Sequence, residues 1–287
     1  SSWQMSDIKV TTLTGVSAIS GQEVYAAMSD NALGPGVIHS TDACKTSEYI
    51  GPAGGMNMDI AFTPAGVAGC MATVSGLQLT QDGKTFHKVS DLIGVSQNVE
   101  SFGSSSFGAT GTFTSKTTKK SVNGVAVSTN YGTTWDIYDI GLGEGYTARY
   151  GAFPSATTWY VSSGSWPYDA SAAKAEHKMS ARLNVFNKEG QKTTQYTQPK
   201  TKSLRSSTVT GYPGAISKTT DGGKTWTKVF DSNGSMYFNE IHCNDEQNCM
   251  AVAENDEGAY GVASTDGGAT WSTVLSAPPG FSLMGCR

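Results

Sequence analysis

An all-β fold assembled from a repeated four-stranded unit is predicted by three observations. One short phrase recurs along the chain, and its copies fall at nearly regular intervals. No stretch longer than a turn or two has helical periodicity. The composition agrees, with 34 Gly among 287 residues and only 15% charged residues, as short strands joined by tight turns require.

The phrase reads STDGGATW at Ser264–Trp271, TTDGGKTW at Thr219–Trp226 and STNYGTTW at Ser128–Trp135. Two altered copies precede them, TQDGKTF at Thr80–Phe86 and STDACKTS at Ser40–Ser47. A Gly opens each unit (Gly36, Gly76, Gly124, Gly214, Gly261), followed by a short apolar strand such as Val125–Val127. Asp42, Asp82, Asn130, Asp221 and Asp266 then offer a side chain that accepts nearby backbone N–H groups. Gly83, Gly132, Gly223 and Gly268 follow where a positive φ is needed. An aromatic (Phe86, Trp135, Trp226 or Trp271) opens the next strand. Each unit is therefore strand, polar hairpin, strand, with the aromatic under the turn. The first copy departs, with Cys44 at the Gly position and Ser47 at the aromatic one.

These residues resemble the Asp-box, or BNR repeat, S/T-x-D-x-G-x-x-W. The resemblance implies a β-propeller, the fold of sialidases, the Vps10/sortilin group, some glucan-degrading hydrolases and assembly factors of the Ycf48 type. It covers most of the chain outside about 165–212. In those families the box is a structural hairpin away from the active face, so the resemblance implies a fold more than a chemistry.

Spacing supports six or seven antiparallel four-stranded blades. The Asp or Asn positions lie 40, 48, 91 and 45 residues apart, against about 40–45 for one blade. The interval of 91 reads as two blades or as one blade with a large insertion. Upstream of two boxes, Asp59–Phe62 leads to Cys70–Ala72 and Glu240–Cys243 leads to Cys249–Ala251, each pair reading as the inner two strands of a blade. Phe281–Cys286 resembles the start of a third such pair, and Ile8–Leu13 reads as an outer strand beside it in a shared closing blade. The middle strands of that blade are not visible in the sequence, so the blade is incomplete or a C-terminal piece is missing. The whole chain, 1–287, reads as one propeller domain, since propellers exceed the usual domain size as single units. A start at Ser1 is compatible with a removed leader and equally with a trimmed chain.

A net charge of −4 and few charged residues argue against nucleic-acid binding, and no apolar run is long enough to span a membrane. Cys243 and Cys249, six residues apart across a turn, are placed to bridge one hairpin, which suits a secreted, extracellular or lumenal protein. Cys44, Cys70 and Cys286 leave one further pair and one thiol possible. No cofactor motif is present, and His39, His87, His177 and His242 lack metal spacing. Asn233-Gly234-Ser235 is the single glycosylation sequon.

Ser165–Tyr212 carries net charge +5, leaving −9 for the remainder. It reads as an irregular basic insertion or a degenerate blade, with Leu183–Phe186 the start of a hairpin. Its Lys174, Lys178 and Arg182 are candidate contacts to an acidic protein or glycan partner. Trp159, Trp166 and Tyr168 are candidate sugar-stacking aromatics, or residues packed between blades.

The resemblance also frames the chemistry. A sialidase-like site needs three converging arginines, and this chain has only Arg149, Arg182, Arg205 and Arg287, with no Arg-Ile-Pro phrase. Asp59 and Glu240 occupy matched strand positions and are the only candidate acid and base of a glycoside hydrolase. Strand registry explains the match equally well. The sequence thus points to a non-catalytic propeller that grips a protein partner, with a carbohydrate-binding or glycan-processing role as the alternative.

Overall fold

A computed structural model describes residues 12–30, 34–51, 55–143, 146–165 and 211–286. The fold is a β-propeller. The first blade contains β1 (Leu13–Ala18), β2 (Val24–Asp30), β3 (Gly34–Ser40) and β4 (Glu48–Ile50). The second contains β5 (Asn57–Phe62), β6 (Gly69–Thr73), β7 (Gly76–Thr80) and β8 (His87–Lys88). The third contains β9 (Leu92–Phe102), β10 (Ser106–Ser115), β11 (Ser121–Ser128) and β12 (Asp136–Asp139). The fourth contains β13 (Ala148–Ala152), β14 (Trp159–Gly164), β15 (Gly214–Thr219) and β16 (Thr227–Asp231). The fifth contains β17 (Tyr237–Cys243), β18 (Cys249–Asn255), β19 (Gly258–Ser264) and β20 (Ser272–Ala277). Every sheet is an antiparallel meander in chain order. The one helical element among the described residues is a 3-10 turn at Pro64–Gly66.

Burial follows strand position. Strands such as β6 and β14 are buried at every residue, because they have sheet neighbours on both sides and blades on both faces. The outermost β20 is exposed along nearly all its length. The first strand of each blade packs against the first strand of the next, from β1 to β5, β9, β13 and β17. Each junction has its own apolar cluster. Val37, Ile60 and Met71 fill the first, and Leu77, Val99 and Phe107 the second. Val127, Phe153 and Trp159 fill the third, and Tyr160, Ile216 and Phe238 the fourth.

The structure resolves the 91-residue interval. β14 pairs directly with β15, from Trp159↔Thr219 to Gly164↔Gly214, so among the described residues the interval holds one blade, with the extra length of chain between its second and third strands. The Leu183–Phe186 hairpin lies outside the described residues. One expectation is corrected: Leu13 opens β1, the first strand of the first blade, and pairs with Met28. Thr12 continues that strand, its carbonyl accepting Ser29 N–H, so Leu13 is not part of an outer closing strand. Ile8–Thr11 lie outside the described residues. Phe281–Cys286 takes an inner place but forms no ladder. It lies beside β17 and β18, where Asn239 Nδ2 donates to Leu283 O at 3.0 Å and Cys286 Sγ to Met250 O at 3.3 Å.

Candidate functional site

Three features organise polar chemistry in this fold. The first is the recurring hairpin, which always joins the third strand of a blade to the fourth. The Ser or Thr that ends the third strand donates its hydroxyl to the following carboxylate, at 2.9 Å from Ser40 to Asp42 and 2.8 Å from Thr219 to Asp221. The same hydroxyl accepts the N–H four residues on, at 2.9 Å from Gly132, 3.0 Å from Gly223 and 2.8 Å from Gly268. The carboxylate accepts a backbone N–H and, in three copies, a Thr hydroxyl, as Thr270 gives Asp266 at 2.9 and 2.6 Å.

These bonds to the charged form hold the carboxylates well below the usual range. The Thr46 N–H beside Asp42 and the hydroxyls of Thr225 and Thr270 beside Asp221 and Asp266 hold each to about 2. Asn130 replaces the carboxylate in the third copy, yet its Oδ1 still accepts from Ser128 and from Thr134 N–H. The glycines sit where expected, at φ 67° for Gly83, 81° for Gly132, 84° for Gly223 and 86° for Gly268. Cys44 replaces glycine in the first copy and still adopts φ 63°. Trp135 and Trp226 lie under their turns and donate their indole N–H to Gly132 O and Gly223 O.

The second feature lies along the row of first strands, β1, β5, β9, β13 and β17, each packed on the next. Each carries one register shift, near its start in four strands and midway along β9, leaving Thr14, Met58, Gln97, Arg149 and Asn239 as the extra residues of five bulges. Gly15, Asp59, Asn98, Tyr150 and Glu240 follow those bulges. A bulge re-aims side chains, and here the re-aimed groups tie one blade to the next. Asp59 Oδ2 accepts Asn98 Nδ2 at 2.9 Å and Val99 N–H at 3.2 Å, while its Oδ1 accepts Ile60 N–H at 2.9 Å. Asn98 Oδ1 accepts Gly151 N–H at 2.9 Å, one blade further on. Ser17 Oγ accepts Phe62 N–H at 3.0 Å between the first two blades.

Asp59 and Glu240 thus share a register position, as the repeat implies. Asp59 is buried, at 4% exposure. Glu240 is half-buried against the C-terminal segment, where a Cβ on Gly285 would fall 2.6 Å from its Oε2. Tyr150 lies in the same electrostatic neighbourhood. Burial pushes its phenol up, opposed by Arg149 and reinforced by Asp59 and Glu240. Asn98 and Tyr150 were missed in sequence, and Arg149 was read only as one of four arginines, because a bulge leaves no residue signature. The Phe that recurs at 62, 102 and 153 aligns the strands to within one residue and was the available signal.

The third feature is an open lateral groove of about 840 Å³ between the outer edges of the second and third blades. Asp82, Lys88, Asp91, Thr117 and Trp135 line it.

Trp159 is 2% exposed and surrounded by Phe102, Tyr138, Phe153 and Trp226, so it packs between blades and presents no ring to solvent. Trp166, Tyr168, Lys174, Lys178 and Arg182 lie outside the described residues. Cys243 and Cys249 form the disulfide, across the β17–β18 hairpin. Of the other cysteines, Cys70 is buried and Cys44 and Cys286 are half-buried. Among the described residues no group of His, Cys, Asp and Glu is arranged to hold a metal, and no helix is long and apolar enough to cross a membrane.

The sequence matches no family model and no curated protein. Among solved structures, the chain is similar to the GH74 xyloglucanase from Xanthomonas campestris, with TM-score 0.58 and 15% identity over 92% of this chain and 38% of that one. It is also similar to a chain of the nidogen/laminin complex, with TM-score 0.54 and 10% identity over 94% of this chain and 81% of that one. TolB from Acinetobacter baumannii gives TM-score 0.51 and 10% identity over 94% of this chain and 55% of that one. At these identities the likeness defines the β-propeller class and nothing finer.

Proposed function

We propose that this chain is an Asp-box propeller of a secreted or lumenal compartment, non-catalytic, whose role is to grip a protein partner. The observation that carries this reading is the use to which Asp59 is put. A glycosidase of this kind needs two carboxyl groups able to reach a sugar and exchange protons with it. Asp59 instead accepts three N–H groups while buried, in a bond that joins the second blade to the third. Engaged in this way, the Asp59 carboxylate is not placed to exchange protons with a sugar. The Cys243–Cys249 disulfide supports an oxidising compartment.

Two assays on the same purified chain test the proposal. Incubation with a panel of β-glucans and other polysaccharides should release no reducing ends above the buffer control, from the wild type or from Glu240→Gln. On paired peptide and glycan arrays, the labelled chain should be retained on peptides. Retention on glycans alone, or turnover that Glu240→Gln abolishes, would replace the proposal with the glycan-processing alternative.

A further inference from the structure

The lateral groove begins as a defect in the repeat. β8 has two residues, whereas β4, β12, β16 and β20 have three, four, five and six. The shortened outer strand leaves the edge of the second blade open toward the third. The groove runs from the Asp82 hairpin at one end of β8 to Asp91 and Thr117 at the other. Its volume of about 840 Å³ falls among those of ligand-binding clefts.

Each end holds a fixed carboxylate. Asp82 accepts the N–H groups of Lys84 and Thr85 at 2.8 and 2.7 Å, and these bonds, Thr85 first, hold it below the usual range. Asp91 accepts Thr117 N–H at 2.9 Å and Ser115 Oγ at 3.1 Å, and the Thr117 hydroxyl is the main cause of its lowered pKa. Neither carboxylate forms a salt bridge among the described residues. Between the ends, Trp135 is held in place by its bond to Gly132 O and by stacking on Phe107 with centroids 6.5 Å apart. A fixed indole is a favourable neighbour for a cation. Lys88, the opposing charge in the groove, is exposed, and the end of its side chain lies over Gly76. The chain outside 165–212 carries net charge −9, which favours a basic partner over an acidic one at this surface.

We propose that this groove docks an extended segment of a protein partner bearing two basic side chains about six residues apart. Asp82 holds the Thr85 N–H, and the six residue steps from Thr85 to Asp91 span at most about 20 Å at ~3.3 Å per residue, which sets the upper limit of the spacing. An even spacing places both side chains on one face of the docked segment, toward both carboxylates. The inference rests on the protein-binding reading and specifies its site and ligand chemistry.

Fluorescence anisotropy with two labelled peptides tests it. Both carry two arginines in a neutral Ser/Thr/Val background, six residues apart in one and five apart in the other. The intact chain should bind the six-spaced peptide about tenfold more tightly than the five-spaced one, with binding weakened by added salt. The double variant Asp82→Asn, Asp91→Asn should lose about tenfold in affinity for the six-spaced peptide. Its melting temperature at neutral pH checks folding, and Asn130 shows that an amide serves in this hairpin. Single variants provide the same readout if the double variant melts early. Equal affinity for the two spacings, or unchanged affinity in folded variants, overturns the groove assignment. So does displacement of the peptide by a neutral oligosaccharide. If the peptide arrays still retain the chain, only the groove assignment falls; if they retain nothing, the protein-binding reading falls with it.

Discussion

The hairpins at the outer strands and the bulges at the inner strands repeat with equal regularity in space but very unequally in sequence. At the hairpins, one hydroxyl and one carboxylate or amide recur in all five described blades. At the bulges, the residue that follows is Gly15, Asp59, Asn98, Tyr150 or Glu240, five different chemistries at one position. A hairpin must satisfy particular backbone N–H groups and a positive φ, and few residues can do so. A bulge needs only an extra residue, and the side chain after it is left to serve that blade's own junction.

The largest effect expected from breaking this contrast is at a hairpin glycine. Gly223 has φ 84°, and a Cβ there would fall 2.7 Å from Trp159 Cζ3 and 2.8 Å from Tyr138 Cγ. Gly223→Val therefore combines backbone strain with overpacking, and should cost about 3–5 kcal/mol by urea denaturation. Loss of under about 1 kcal/mol would show that the turn is softer than its recurrence suggests.

The hairpin carboxylates predict a graded response to acid. The folded pKa values of Asp42, Asp221 and Asp266 are about 2, below the unfolded value of about 3.9. Their stabilisation is fully present above the unfolded value and is lost as pH falls through the folded one. Melting temperature should therefore fall between about pH 4 and pH 2. The triple variant with Asn at all three positions should show a shallower fall across that window, with Asn130 as the natural precedent. An unchanged slope would place the acid sensitivity elsewhere.

Smaller effects separate the two altered copies. Cys44→Gly relieves a left-handed non-glycine residue and should stabilise the chain by about 1 kcal/mol. Asn130→Asp should change stability by less than about 0.5 kcal/mol: Oδ1 already makes two of the bonds, and the third, now Nδ2 donating to Thr134 Oγ1 at 2.9 Å, would only reverse its direction. Differential scanning calorimetry resolves the first, and the second should fall close to its precision.

The same contrast explains how much could be read from the sequence. The blade pattern, the hairpin positions and the Cys243–Cys249 pairing were visible because each requires a definite residue at a definite spacing. The match of Asp59 with Glu240 was visible too, but the hydrogen bonds that engage Asp59 were not. They depend on Asn98 and Val99 arriving from another blade, 39 and 40 residues away. The groove was hidden for a related reason: it follows from the shortness of β8, and TQDGKTF gives no sign of where its strand ends. Trp159 shows the opposite failure, an aromatic conspicuous in sequence that the fold buries.

The central claim, that Asp59 ties blades together instead of performing chemistry, is tested most directly by a double-mutant cycle. Asp59→Ala, Asn98→Ala and the double variant would be unfolded in urea beside the wild type. The account predicts a coupling of about 1.5–3 kcal/mol between the two positions, the range for a hydrogen bond to a charged group. Coupling near zero, with Asp59→Ala as stable as the wild type, would contradict it and return the Asp59 carboxylate to the list of groups available for catalysis.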